Sequence, residues 1–188
     1  QYKLDRNNIM KFFELKSYYI VTDIKEHKQI KQKLLDLINL MPNSSFKSIS
    51  KTDWNLPKEH KREYLNYFYG MLSPYLNEMC EKLKCTTCSI DNGWFQVYNK
   101  NDKHEWHTHP KTNYTNVYYL NLPNKSIRTN VYDLMSNKII DDLEVNEGQL
   151  LTLPANFIHR SPSNNTNDKK IIISFNSNFD EVDLNKVG

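Results

Sequence analysis

Cysteine and glycine are scarce in this chain, and neither sign of charge prevails. Only Cys80, Cys85 and Cys88 occur in 188 residues, and an odd count this low argues against the disulfide framework that holds small secreted domains together. Their C-x4-C-x2-C spacing lacks the fourth cysteine that iron–sulfur ligation would need. Buried or half-exposed thiols are therefore expected, with a zinc site completed by a distant histidine as the alternative. The four glycines, beside abundant Lys, Asn and Ile, carry no functional reading. The 25 basic and 22 acidic side chains leave a net charge of +3, which gives no electrostatic case for a nucleic-acid partner. Apolar runs are short, as in Ile171-Ile172-Ile173, against the roughly 18 residues that a membrane span requires. Gln1 to Asn8 is polar and no apolar signal core follows it. A soluble, cytoplasmic protein without a membrane partner is the expectation.

The length suits one domain, 1–188, with an α+β order. Residues 1–87 read as a mainly helical support section, 88–179 as a β core, and 180–188 as a polar tail. In the first section, Phe12 to Val21 ends in an aromatic and β-branched run that suits a strand. Thr22 or Asp23 is placed to cap a helix in which Ile30, Leu34, Leu37, Ile38 and Met41 recur at helical spacing until Pro42 stops it. After a looser polar stretch around Asp53-Trp54-Asn55, a second apolar stripe runs from Tyr64 to Leu83. Pro74 interrupts it, so a kink or two abutting helices is expected. From about Cys88 the period changes to 2. Short runs at Trp94–Tyr98, Glu105–His109, Asn116–Leu122, Ile127–Asp133, Ile139–Val145, Gln149–Leu153 and Lys170–Phe175 suit a jelly roll, or double-stranded β-helix, with the helical layer packed on one sheet.

Of six histidines, four fall in the β region: His104, His107, His109 and His159. On a strand, positions i and i+2 face one side, so His107 and His109 can aim at one point while Trp106 and Thr108 face away. His159 must then arrive from a neighbouring strand. Three imidazoles in a small β-barrel suit a divalent transition metal, so His107, His109 and His159 are the candidate metal ligands and the catalytic centre. His27 and His60 are assigned to charged helical surfaces.

Beyond these residues, the stretch from about Trp94 to Asn176 resembles the iron(II)- and 2-oxoglutarate-dependent oxygenases, particularly their prolyl-hydroxylase-like branch and its bacterial and viral relatives. The resemblance is carried by Trp94-Phe95-Gln96-Val97-Tyr98, His107-Thr108-His109-Pro110, Thr115 to Asn121, Gly148 to His159, and Lys170 to Asn176, in that order. It implies Fe(II) and 2-oxoglutarate as cofactors, with dioxygen and a peptide, protein or small-molecule substrate as partners. The implied reaction is hydroxylation coupled to release of succinate and CO2. By this likeness His107 is the first iron ligand and His159 the distal one. Lys170, eleven residues beyond His159, stands where the family places the cation that grips the far carboxylate of 2-oxoglutarate; Lys169 is its competitor. Strand parity favours Lys170, which shares a face with Ile172 and Ser174, while Ile171, Ile173 and Phe175 suit packing under the helices. Tyr98 and Tyr119 match tyrosines that line the same pocket, where plain core packing is the competing role. The expected cofactor-binding set is Lys170, Tyr98, Tyr119 and Ser174.

One position departs from the family pattern. His109 stands where those enzymes usually carry Asp or Glu. A three-histidine site, a carboxylate brought by Glu105 or Asp102, and loss of activity all remain open, the first being favoured. Gly148 to His159 also resembles the second cupin motif, so a cupin-like three-histidine enzyme without 2-oxoglutarate is the runner-up, and a non-catalytic binding barrel the third reading. The first cupin motif expects a Glu soon after H-x-H, and Pro110 to Tyr114 offers none. Arg128, Arg160, Trp106 and the 164–168 loop are expected at the rim.

Overall fold

The computed structural model describes residues 16–182. The early part of the strand expected from Phe12, and residues 183–188 of the expected tail, lie outside the described residues. Strand β1 (Ile20–Asp23) leads into helix α1 (His27–Leu40), and a short strand β2 (Lys51–Thr52) precedes helix α2 (Glu63–Leu83). Eight strands follow: β3 (Cys85–Tyr98), β4 (His104–His107), β5 (Tyr114–Asn121), β6 (Asn130–Asp133), β7 (Lys138–Ile140), β8 (Gln149–Pro154), β9 (Ile158–Ser161) and β10 (Lys170–Val182). They form two antiparallel sheets, one of six strands in the order β1-β8-β5-β10-β3-β2 and one of four in the order β4-β9-β6-β7.

Two apolar clusters explain why the chain folds this way. Ile30, Leu34 and Ile38 of α1, and Tyr64, Leu65, Phe68, Leu72 and Met79 of α2, are spaced to cover one face of each helix. They pack on Phe95, Val97, Tyr118, Leu120, Leu150, Ile173 and Phe175 of the large sheet. Phe68 stacks on Tyr118 with ring centroids 4.7 Å apart, a geometry that adds to simple area burial. The alternate residues of the same strands point the other way. Tyr98, Val117, Tyr119, Leu151, Leu153 and Ile172 meet Val131 of the small sheet in a second cluster. Period-2 alternation thus divides β10 between an apolar helix-facing side and an inner side that carries Lys170, Ile172 and Ser174.

Several local expectations change. Neither Thr22 nor Asp23 caps α1; both belong to β1, and the helix starts at His27 behind Glu26, with no side-chain cap. His27, on the charged face of α1 beside Glu147, is half-buried, and its Nδ1 lies 2.7 Å from the Tyr118 hydroxyl. Helix α2 runs unbroken through Pro74, since its apolar stripe stays packed on the sheet on both sides of the proline. It ends at Lys84 in the left-handed conformation, φ 58°, which turns the chain directly into β3. The segment 141–145, expected to extend a strand, is not one: β7 ends at Ile140, while Leu143 and Val145 still drop into the inner cluster. β10 runs on to Val182, so Asp180 is strand rather than tail. Gly148 sits at φ +82°, and a Cβ there would come within 2.8 Å of the His27 ring, so only glycine fits this bend into β8.

The polar stretch before α2 holds the fold's most tightly bound carboxylate. Asp53 is fully buried and accepts from the Phe95 backbone N–H at 3.0 Å, from Arg62 Nε at 2.8 Å and from the Tyr64 hydroxyl at 2.6 Å. It joins the start of α2 to the middle of β3. Replacing Asp53 by Ala strands Arg62 and a strand N–H together, and should cost about 3–5 kcal/mol. A urea titration is expected to show the lowered midpoint with little change in slope; a loss under 1 kcal/mol would contradict this account.

Candidate metal centre

The two strands that carry the outer histidines are direct neighbours. β4 pairs antiparallel with β9, and His107 lies opposite His159 in the register. The two ring centroids are 4.4 Å apart. His109 is not on the strand, which ends at His107; its backbone N–H donates to the Ala155 carbonyl at 3.0 Å. That bond folds the chain back so that the His109 ring lies 5.1 Å from both partners. One nitrogen from each of the three rings comes within 4.8 Å of the others, and among the described residues no other cluster of three metal-ligating groups does so. The three cysteines form no such cluster and no disulfide.

Hydrogen bonds set the tautomers. His107 Nδ1 lies 2.7 Å from the Glu105 carbonyl and His159 Nδ1 lies 2.9 Å from the Phe157 carbonyl. A carbonyl can only accept, so each Nδ1 carries the proton and each Nε2 keeps its lone pair. Burial and mutual repulsion keep the rings neutral. The pKa of His159 falls to about 4, through burial and then His107. That of His109 falls to about 3, through burial, then His159, His107 and His104. Neutral imidazoles that converge in this way could hold a divalent transition ion.

A fourth ring belongs to this cluster. His104 packs against His107 with centroids 4.1 Å apart, and its Nδ1 is 3.4 Å from Gln96 Nε2. Strict alternation would send residues 104 and 107 to opposite sides. An irregularity in the β4–β9 pairing between them brings both to one side. The signal lay in the count of histidines in this region rather than in parity. The same irregularity turns Glu105 outward, where it pairs with Lys103 at 2.7 Å. Asp102 is occupied too, accepting from the backbone N–H groups of Ser50 and Asn99 at 3.0 and 2.8 Å. Neither carboxylate reaches the cluster, and the ring set is all nitrogen. Trp94, also unforeseen, stacks on His109 at 5.9 Å with 18° between planes.

Below the histidines lies a cavity of about 30 Å³ lined in part by Tyr98, Thr129, Ser161 and Ser174. Behind the Ser161 side of that wall Lys170 is fully buried. Its Nζ donates to the Ile127 carbonyl at 2.6 Å and to Ser161 Oγ at 2.7 Å, and lies 5.3 and 5.8 Å from the Tyr98 and Tyr119 rings. Among the described residues no carboxylate pairs with it, and burial lowers its pKa to about 7. The Tyr98 hydroxyl is buried beside Ser161 without a hydrogen bond of good geometry, whereas Tyr119 shares its hydroxyl with Thr129 Oγ1 at 2.7 Å. Lys169 is exposed on the outside. Of the expected rim, Arg128 is tied to the carbonyls of Lys125 and Leu143, and Arg160 lies over Trp106 at 4.5 Å. In the 164–168 loop, Asn164 donates to the carbonyls of Tyr98 and Asp168. These groups support the shell.

The Lys170 site makes stability depend on pH in a defined direction. The folded protein prefers the neutral amine, and the unfolded chain keeps its proton up to about 10.4. Between these values the unfolded state binds more protons, so stability rises with pH, by up to about 5 kcal/mol. The unfolding free energy of the wild type should therefore rise relative to that of Lys170→Met between pH 7 and pH 10. Parallel pH profiles would overturn the assignment.

No family model matches the chain, and no curated protein matches it by sequence. Solved structures do. The viral collagen prolyl hydroxylase of Paramecium Bursaria Chlorella virus-1, in its 2OG complex, is 16% identical, with 88% of this chain and 97% of that one covered and a TM-score of 0.57. A 2OG-Fe(II) oxygenase family oxidoreductase from Burkholderia pseudomallei gives 11%, 86% and 84%, and 0.66. HygX from Streptomyces hygroscopicus, with nickel and 2-oxoglutarate bound, gives 9%, 85% and 82%, and 0.63. The chain therefore has the β-rich fold of the 2-oxoglutarate- and iron(II)-dependent oxygenases, with a histidine triad of the H-x-H type set into it.

Proposed function

We propose that the protein is an iron(II)- and 2-oxoglutarate-dependent oxygenase built on a single double-stranded β-helix domain, with His107, His109 and His159 holding the metal. The observation that carries this reading is the pairing of two unusual groups in one inner face. Three neutral imidazoles converge at one point, and a lysine without a counter-charge is buried beneath them. A buried ammonium facing only a carbonyl and a hydroxyl is destabilising, and a dianionic ligand relieves it through charge-assisted hydrogen bonds. A cupin-like centre that used no keto acid would leave Lys170 without a role.

The residues present fit both cofactors. When bound, the metal and keto acid would supply the site and the electrons that activate dioxygen, the oxidant of the hydroxylation. The chain's own part is to bind and orient them. The backbone carbonyls of Glu105 and Phe157 hold two ligand rings in the right tautomer. Lys170, now held by the Ser161 hydroxyl, would receive the far carboxylate, and the Tyr98 hydroxyl could donate to the same group. Ser174 completes the wall on the β10 side. The cavity volume of about 30 Å³ matches roughly one water molecule, so admission of the keto acid requires Ser161 and Tyr98 to move aside. Val117 and Ile172 keep the remainder dry, which strengthens the ion pair.

Anaerobic titration of the iron(II)-loaded protein with 2-oxoglutarate should develop a visible charge-transfer band. Lys170→Met is expected to weaken that titration at least 100-fold while metal content is retained, and His159→Ala to lose the metal itself. An unchanged titration in Lys170→Met would remove the keto-acid assignment. Because a bound carboxylate needs Lys170 protonated, affinity should fall as pH rises above about 7, by up to tenfold per pH unit; a flat profile from pH 7 to 9 would contradict the ion pair.

A further inference from the structure

Outside the histidine cluster the surface opens into a second, larger cavity of about 370 Å³, a size that suits a small organic ligand. Its walls include Phe46, Trp54, Trp94 and Asn176, as well as the outer edges of His104, His107 and His109. Trp54 and Trp94 meet edge to face at 4.6 Å, and Trp54 remains 46% exposed. Together they offer a broad aromatic wall. Asn176, on β10, is only 7% exposed, and its Oδ1 has no hydrogen-bond partner. A buried amide oxygen left unpaired costs about 1–3 kcal/mol, which a ligand N–H or O–H would recover.

Charge in this cleft has one sign. Lys47 is the one lining residue with a full charge, and no lining residue is acidic. Its position is set by the fold. The backbone groups of Phe46 and Ile49 close a tight turn with bonds of 3.2 and 3.0 Å, and Lys103 N–H donates to Ser48 at 3.0 Å, clamping that turn beside β4. Lys47 takes the left-handed φ of 50° within it, a conformation that a non-glycine residue adopts only when its surroundings hold it. Its ammonium lies over the Phe46 ring, 5.1 Å from the centroid.

We infer that this cleft selects a small carboxylate-bearing substrate, its carboxylate on Lys47, its apolar body on Trp54 and Trp94, and a polar hydrogen on Asn176. A lone ammonium suits a monoanion better than a phosphate, whose greater charge generally draws several cations or a cradle of N–H groups. The inference rests on the oxygenase reading only for what happens to the bound molecule; the binding itself needs neither metal nor keto acid.

Calorimetry on the full chain tests it, with and without iron(II) and 2-oxoglutarate. The probes are N-acetyl-L-phenylalanine and N-acetyl-L-leucine, each against its methyl ester, which keeps the N–H and the body but loses the charge. At least one acid should bind tenfold or more tightly than its ester. Lys47→Met should erase that preference, Lys47→Arg restore it, and Asn176→Ala weaken acid and ester alike. Equal affinity of acid and ester, no binding of either acid, or a preference surviving in Lys47→Met would overturn the inference. An acid preference in the metal-free chain beside a failed 2-oxoglutarate titration would uphold the cleft and sink the oxygenase reading. If a longer peptide ending in phenylalanine bound as tightly as N-acetyl-L-phenylalanine, the recognised carboxylate would be a chain terminus and the small-molecule form of the inference would fall.

Discussion

The register between β4 and β9 is the constraint on which the candidate site depends. His107 and His159 are 52 residues apart in sequence, and only the antiparallel pairing that sets them opposite one another brings their rings together. A slip of one residue would turn His159 to the other face of the small sheet. The register is held from several sides. β9 is also paired to β6, Val131 packs from β6 into the inner cluster, and the Ala155 carbonyl catches the His109 backbone. Apolar burial between the sheets therefore determines the distance between polar atoms that never touch the apolar core.

The large sheet makes a complementary contribution by separating two environments. On its outer face the helices bury Phe68, Phe175 and their neighbours, with the Asp53 network and the Lys31–Glu147 ion pair at its margins. Its inner face carries Lys170, Ser174 and Tyr98 beside Ile172 and Val117. A lysine there works against stability, and an apolar residue of similar length would suit the fold better. That the chain keeps an ionisable amine at such a place, beside the buried Tyr98 phenol, is what supports reading this inner face as a binding site.

Much of the architecture was legible in the residues. The helical stripes of α1 and α2 and the alternation of β5, β8 and β10 follow directly from where Ile, Leu and aromatic residues recur, and the division of β10 between Ile173 and Ile172 is read from parity alone. The limits of that reading are equally specific. Parity placed His107 and His109 on one strand face, whereas the strand ends at His107 and a loop bond to Ala155 brings His109 round. Parity also separated His104 from His107 and aligned Glu105 with it, and one irregularity in strand pairing reversed both. Asp53 looked like loop polarity, because nothing local reveals that its three partners come from α2 and β3. Lys47 carried no motif and Asn176, though the last residue of a resembling segment, carried no role; they share a cleft only because a short turn lies beside the middle of a long strand.

Sequence by itself determined the secondary structure, the two-faced character of the strands and the kinds of chemistry available, because periodicity and residue type are local properties of the chain. Tertiary structure decided which histidines converge, which carboxylates are excluded, and that Lys170 is left without a counter-charge. Those outcomes depend on strand register, on a pairing irregularity and on backbone bonds between distant segments, each of which is a relation between residues far apart along the chain and becomes defined only when the sheets close on one another.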